Sequence, residues 1–160
     1  VNVYSECGYG TTFRVYIPRY NGDFPSEIST RNKLETTPDN ELVLLVEDEQ
    51  SILEMTSILL QKQGYRVLKA NTPEKAIEIA SKRISDIQLL LTDVVMPGMN
   101  GKDLADHILK QKPNLKVLFM SGYTADVIAS RGVVEEGVTF LGKPFTREEL
   151  ATKVRKALDN

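Results

Sequence analysis

A chain of 160 residues, 41% apolar and 26% charged, holds enough apolar material for one ordinary globular domain with a short attachment. Its formal net charge of −2 is spread evenly, with 4 basic and 5 acidic residues through residue 40 and 16 and 17 beyond it. That balance gives no electrostatic reason to expect a nucleic acid or an anionic membrane as partner. The lone cysteine, Cys7, excludes an intrachain disulfide and a paired-cysteine metal site and points to a cytosolic setting; no apolar run is long enough to span a bilayer, and no signal peptide is visible.

The chain opens with "VNVYSECGYGTTFRVYIP". Residues 12–17 alternate, with Phe13, Val15 and Ile17 on one side and Arg14 and Tyr16 on the other, a strand pattern ended by Pro18. "VNVYS" is its expected partner across the glycine turn. From Arg19 to Asn40 the sequence is polar, rich in turn-formers and without periodicity, and reads as a linker.

Beyond residue 40 short apolar runs alternate with segments of helical period. "LVLLV" (42–46) precedes a helix over 51–63 closed by Gly64. "YRVLKA" (65–70) precedes a helix over 72–83, with Thr72 as N-cap and Pro73 at the first helical position. "IQLLL" (87–91) leads to a helix over 101–111, and "LKVLFM" (115–120) to a short helix over 123–130. "GVTFL" (137–141) leads to a last helix over 146–158, opened by a Thr146/Glu149 capping box and carrying Leu150, Val154 and Leu158 on one face. Five strands alternating with five helices imply an α/β fold: an open, doubly wound parallel sheet with helices on both faces. The number of units points to the flavodoxin-like strand order 2-1-3-4-5.

Ligands of such sheets bind outside the carboxyl ends of the strands. After the first strand come Glu47, Asp48 and Glu49; after the third, Thr92 and Asp93; after the fourth, Ser121 and Gly122; after the fifth, Gly142, Lys143 and Pro144. Glu47, Asp48 and Asp93 are hard oxygen donors of the kind that hold Mg²⁺ by few protein contacts. Lys143 carries a compact positive charge suited to a phosphoryl oxygen, the Ser121 hydroxyl can donate to another, and Asp93 is a competent carboxylate nucleophile. Any one of these acids, taken alone, is best read as a helix cap, and the lysine as a solvated loop residue. Four such sets at consecutive strand ends make that reading poor.

"VLLVEDEQ", "LLLTDVVMPGMNG", "LFMSGYT" and "FLGKPF" resemble, in order and spacing, the signature segments of the two-component response-regulator receiver domain, over residues 41–160. The resemblance implies Asp93 as phosphoacceptor, Asp48 as direct Mg²⁺ ligand, Glu47 at a position that often holds aspartate, and the Val95 carbonyl as main-chain metal ligand. It further implies Ser121 as switch hydroxyl, Lys143 as phosphate-binding lysine, Phe140 as switch aromatic and a cis Lys143–Pro144 bond. The implied chemistry is Mg²⁺-dependent transfer from a phosphohistidine of a histidine kinase or phosphotransfer protein to Asp93. The switched face would be that of the fourth helix, fifth strand and fifth helix. Val95 and Tyr123, each two residues past a site residue, are bulky and carry no acid or amide to orient water, so they are expected to slow loss of the phosphoryl group.

The alternatives from other classes have specific obstacles. An aspartate-nucleophile phosphatase of the haloacid-dehalogenase type needs a second aspartate where Val95 stands, and no cap-like insertion is present. A DNA-binding regulator would need a helix-turn-helix, and the chain ends two residues after the last predicted helix. A pseudo-receiver acting only as an interaction module stays open. His107 reads as a helix-surface residue rather than a relay histidine, and Met96, Met99 and Met120 as packing. "GYGTTFRVYIP" in turn resembles the end of a histidine-kinase ATP-binding domain. Residues 1–18 are therefore expected to be a remnant of that domain, 19–40 a linker and 41–160 the receiver of a hybrid sensor kinase. The earlier nucleotide-binding segments are absent, so no ATP binding or kinase activity is expected of this stretch, only slow self-dephosphorylation. A cytoplasmic location and no membrane contact are expected.

Overall fold

Short runs of branched apolar residues pair into one parallel sheet in the computed structural model, which describes residues 2–16, 40–122 and 139–159. Two chain segments form separate compact units. The first is a hairpin of β1 (Asn2–Glu6) and β2 (Gly10–Arg14), antiparallel, with Val3 opposite Phe13. Its turn is closed by the Tyr9 N–H donating to the Glu6 carbonyl at 3.0 Å, and Gly8 and Gly10 supply the positive φ angles it needs. Strand pairing stops at Arg14, short of the expected 17, and every described hairpin residue is exposed. An isolated two-strand ribbon has no face to bury, so the alternation of Phe13 and Val15 finds no core within it.

The second unit contains β3 (Leu42–Val46), α1 (Gln50–Lys62), β4 (Arg66–Ala70), α2 (Pro73–Arg83), β5 (Ile87–Asp93), α3 (Gly101–Leu109), β6 (Lys116–Ser121), β7 (Thr139–Gly142) and α4 (Arg147–Asp159). The sheet order is β4-β3-β5-β6-β7, all parallel, which is the expected 2-1-3-4-5. Period-2 alternation sorts the strands into two cores. Leu42, Leu44, Val46, Ile87 and Leu90 pack with Ala76 and Ala80 of α2 and Leu104 and Ile108 of α3. Val43, Leu45, Leu89 and Leu91 pack with Leu53 and Leu60 of α1 and Leu150 and Val154 of α4 on the opposite face. Met96 lies in the first core and Met120 in the second, with Met99 packed against the first.

The helix starts are made as the sequence predicts. Thr72 Oγ1 accepts from the Lys75 N–H with Pro73 at the first position, and Thr146 and Glu149 satisfy each other's backbone N–H groups. At the opposite edge, Arg155 of α4 holds Glu41 at 2.8 Å, tying the last helix to the entry of β3. The register between β3 and β5 skips Gln88, whose Oε1 instead accepts from the Leu42 N–H at 2.6 Å. The predicted helix over 123–130, with Tyr123, lies outside the described residues.

Candidate phosphoryl and metal site at the strand ends

The carboxyl ends of β3, β5, β6 and β7 meet along one edge, because parallel pairing brings like ends together. The backbone ladder runs past the strands and pins the residues that follow. Glu47 N–H donates to the Ala70 carbonyl at 3.2 Å, Val94 N–H to Met120 at 2.9 Å, and Lys143 N–H to the Ser121 carbonyl at 2.7 Å. β5 extends two residues beyond the expected 91, so Thr92 and Asp93 are held as strand residues, and Thr92 Oγ1 donates to the Asp93 carbonyl at 3.0 Å.

Asp93 is buried, and Glu47 is only 1% exposed, while Asp48 stands exposed beside them. One carboxylate oxygen from each of the three lies within 4.8 Å of the others. Lys143 Nζ sits 2.5 Å from Glu47 Oε2 and 3.2 Å from Asp93 Oδ1. Burial pushes the Asp93 carboxyl above the ordinary carboxylate range; Lys143 pulls the other way and the Asp48 charge adds to the rise. Burial likewise raises Glu47 against the pull of Lys143. Three acids facing one ammonium leave negative charge that a hard divalent cation would offset, and oxygen donors at this spacing fit Mg²⁺. Among the described residues the cluster of Glu47, Asp48 and Asp93 is the one such group of acids.

Ser121 is buried at the end of β6, one position beyond Met120, which pairs with Asp93. Phe140 on β7 pairs in register with Phe119 and is half-buried against the first core. Val95 is 54% exposed just after Asp93. The Lys143–Pro144 bond is cis. His107 is exposed on the last turn of α3.

Two features escape the sequence reading. Gly101 opens α3 with its N–H on the Val94 carbonyl at 2.9 Å, and a Cβ there would collide with the Asp93 carbonyl oxygen. The only available signal is the glycine in "MPGMNG", which also reads as a simple turn residue. The second is the direct Glu47–Lys143 pair, which joins residues 96 positions apart.

The family profile described as the response regulator receiver domain matches residues 43–155. The chain is 35% identical to the sensor kinase CckA of Brucella abortus over 162 residues, spanning 97% of this chain but 17% of that kinase. It is 31% identical to the response regulator receiver protein CpdR of Brucella abortus, over 72% of this chain and 95% of CpdR. Several other curated relatives are matched over about half of their length or less, as with the Bacillus subtilis transcriptional regulatory protein YrkP at 47%. Among solved structures, the receiver domain of the hybrid histidine kinase CckA superposes with a TM-score of 0.57 at 36% identity, over 73% of this chain and 98% of that one. A receiver domain protein from Clostridium thermocellum superposes at 0.67 with 28% identity, over 74% and 94%.

Proposed function

The chain belongs to the response regulator receiver domain family of two-component systems, and on that premise we propose that it accepts a phosphoryl group on Asp93. One observation carries the reading: a buried aspartate at a strand end, with a lysine 3.2 Å away and two further carboxylates within 4.8 Å. Asp93 Oδ attacks phosphorus in line, the P–N bond of a donor phosphohistidine breaks, and the imidazole leaves with the bond's electron pair. The product is an aspartyl phosphate. Lys143 places its charge on the transferring oxygens, and the buried Ser121 hydroxyl stands at the neighbouring strand end to take one of them. Glu47, Asp48, Asp93 and the Val95 carbonyl would hold Mg²⁺, whose chemistry here is to screen charge on the phosphoryl oxygens.

Movement of Ser121 toward the phosphoryl group opens room for Phe140, which has no ring hydroxyl and reports burial only. The face bearing β7 and α4 is the output surface of this reading. The donor is a histidine kinase or phosphotransfer protein, in the cytoplasm. Val95, and Tyr123 outside the described residues, slow hydrolysis of the product. A phosphatase reading lacks its acid, since Val95 occupies that position. The alignment with a sensor kinase over nearly the whole chain, hairpin included, supports an origin at the C-terminal end of a hybrid kinase, with residues 1–18 from its ATP-binding domain, 19–40 a linker and 41–160 the receiver.

Acetyl phosphate with Mg²⁺ should produce a phosphorylated species resolved by mass spectrometry, and beryllofluoride with Mg²⁺ should shift amide resonances around Asp93. Asp93→Asn should abolish both. No modification of the wild type, or an Asp93→Asn variant that behaves like it, would leave a pseudo-receiver.

A further inference from the structure

We infer that Glu47 is a positioning residue that holds Lys143 as a competitor of the divalent cation, so that cation binding and release of the lysine are one exchange. The inference rests on the receiver reading of the site and concerns what happens before any phosphoryl group arrives.

The geometry sets the terms. β3 and β7 are separated by β5 and β6, three strand spacings or about 14 Å at the usual separation. Both backbones are pinned by the ladder bonds of Glu47 and Lys143. Only two long side chains reaching toward each other close such a gap, and here they meet at 2.5 Å. The ammonium rests closer to Glu47 Oε2 than to Asp93 Oδ1, at 2.5 against 3.2 Å. Glu47 therefore draws Lys143 partly off the nucleophile. An aspartate in its place would keep the charge but withdraw the carboxylate by about one C–C bond, roughly 1.5 Å, which ends the direct contact.

The oxygens that Lys143 occupies belong to the cluster that would hold a cation. A cation entering the cluster has to displace the ammonium from Glu47, and the displaced ammonium is then free to meet a phosphoryl oxygen at Asp93. Glutamate at this position thus weakens cation binding and stores the lysine within reach of the reacting atoms.

The test is a double-mutant cycle on the full chain, read as the Mg²⁺ dissociation constant by isothermal titration calorimetry without any phosphodonor. Lys143→Met should tighten Mg²⁺ at least fivefold when Glu47 is present and about twofold in the Glu47→Asp background, where the ammonium keeps only its contact with Asp93. Lys143→Gln should repeat the pattern if the methionine variant folds poorly. As a second readout, the metal-free wild type should give a slowly exchanging Lys143 ¹⁵Nζ resonance that Glu47→Asp removes and that saturating Mg²⁺ shifts. Equal tightening in both backgrounds, or none with Glu47 present, overturns the inference while leaving the receiver reading intact. A wild type that binds no Mg²⁺ and accepts no phosphoryl group overturns both.

Discussion

Lys143→Met in metal-free protein tests the electrostatics of the site most directly. The ammonium is the counter-charge to Glu47 at 2.5 Å and to Asp93 at 3.2 Å, and at an effective dielectric of 20 each contact is worth about 5–7 kcal/mol before desolvation is subtracted. Removing one partner of a buried pair typically costs about 3–5 kcal/mol. Here a ceiling applies, because the stranded Glu47 carboxylate can take up a proton instead. At ~1.36 kcal/mol per pH unit above its ordinary 4.5, the Glu47 penalty is limited to about 3.4 kcal/mol at a pH of roughly 7 and falls to near zero at a pH of about 4.5. The sign follows from burial. An acid whose carboxyl is raised in the folded state supports folding below its unfolded value, and loses that support as pH rises through the folded one. Methionine keeps most of the aliphatic stem, so packing loss is small. Urea unfolding followed by far-UV circular dichroism in EDTA should therefore show a loss of about 3 kcal/mol near neutrality, shrinking to less than about 1 kcal/mol near a pH of 5. Adding Glu47→Gln to the lysine variant should recover most of it. A loss under about 0.5 kcal/mol near neutrality, or the same loss at both pH values, would refute the reasoning.

Four further outcomes follow from other residues. The metal-free wild type should lose stability as pH climbs through the raised range of Glu47 and Asp93, and saturating Mg²⁺ should flatten that decline in a pH series of melting temperatures. Gly101→Ala should cost at least about 2 kcal/mol in urea, because the new methyl meets backbone at the Asp93 carbonyl that cannot yield by a rotamer change; a cost below about 0.5 kcal/mol would show that α3 shifts freely. Thr56 is fully buried on α1 and its Oγ1 has no hydrogen-bond partner among the described residues, so Thr56→Val should raise stability by about 1 kcal/mol, and any loss argues for a bridging water. Thr146→Ala removes one arm of the α4 capping box and should lower stability by about 1 kcal/mol, with Thr146→Ser nearly neutral in the same denaturant series.

Much of this protein is written locally. Period-2 runs such as Leu42–Val46 and period-3.6 runs such as Arg147–Asp159 declare their elements, because alternating or helical burial is a property of a few adjacent residues. The Thr72 and Thr146 caps are legible for the same reason: donor and acceptor lie within one turn. The acids, hydroxyl and lysine of the site are also legible as a set, since each directly follows an apolar run and a parallel sheet gathers those ends at one edge. The hairpin marks the limit of that reasoning. Its alternation names a strand with Phe13 and Val15 on one side, but what would cover that side is not written in the segment, and within the hairpin itself both residues are exposed.

Which partner each site residue takes was settled by tertiary structure. Strand order puts two strands, β5 and β6, between β3 and β7, and that distance, set by long-range pairing, decides that a glutamate and a lysine 96 residues apart meet at 2.5 Å. The same holds for Gly101, whose need to be glycine arises from how closely α3 seats on the end of β5. Residue types and spacings name the chemistry available at the edge of the sheet. Distances between pinned backbones decide which charges compete for which oxygens, and no local pattern encodes those distances.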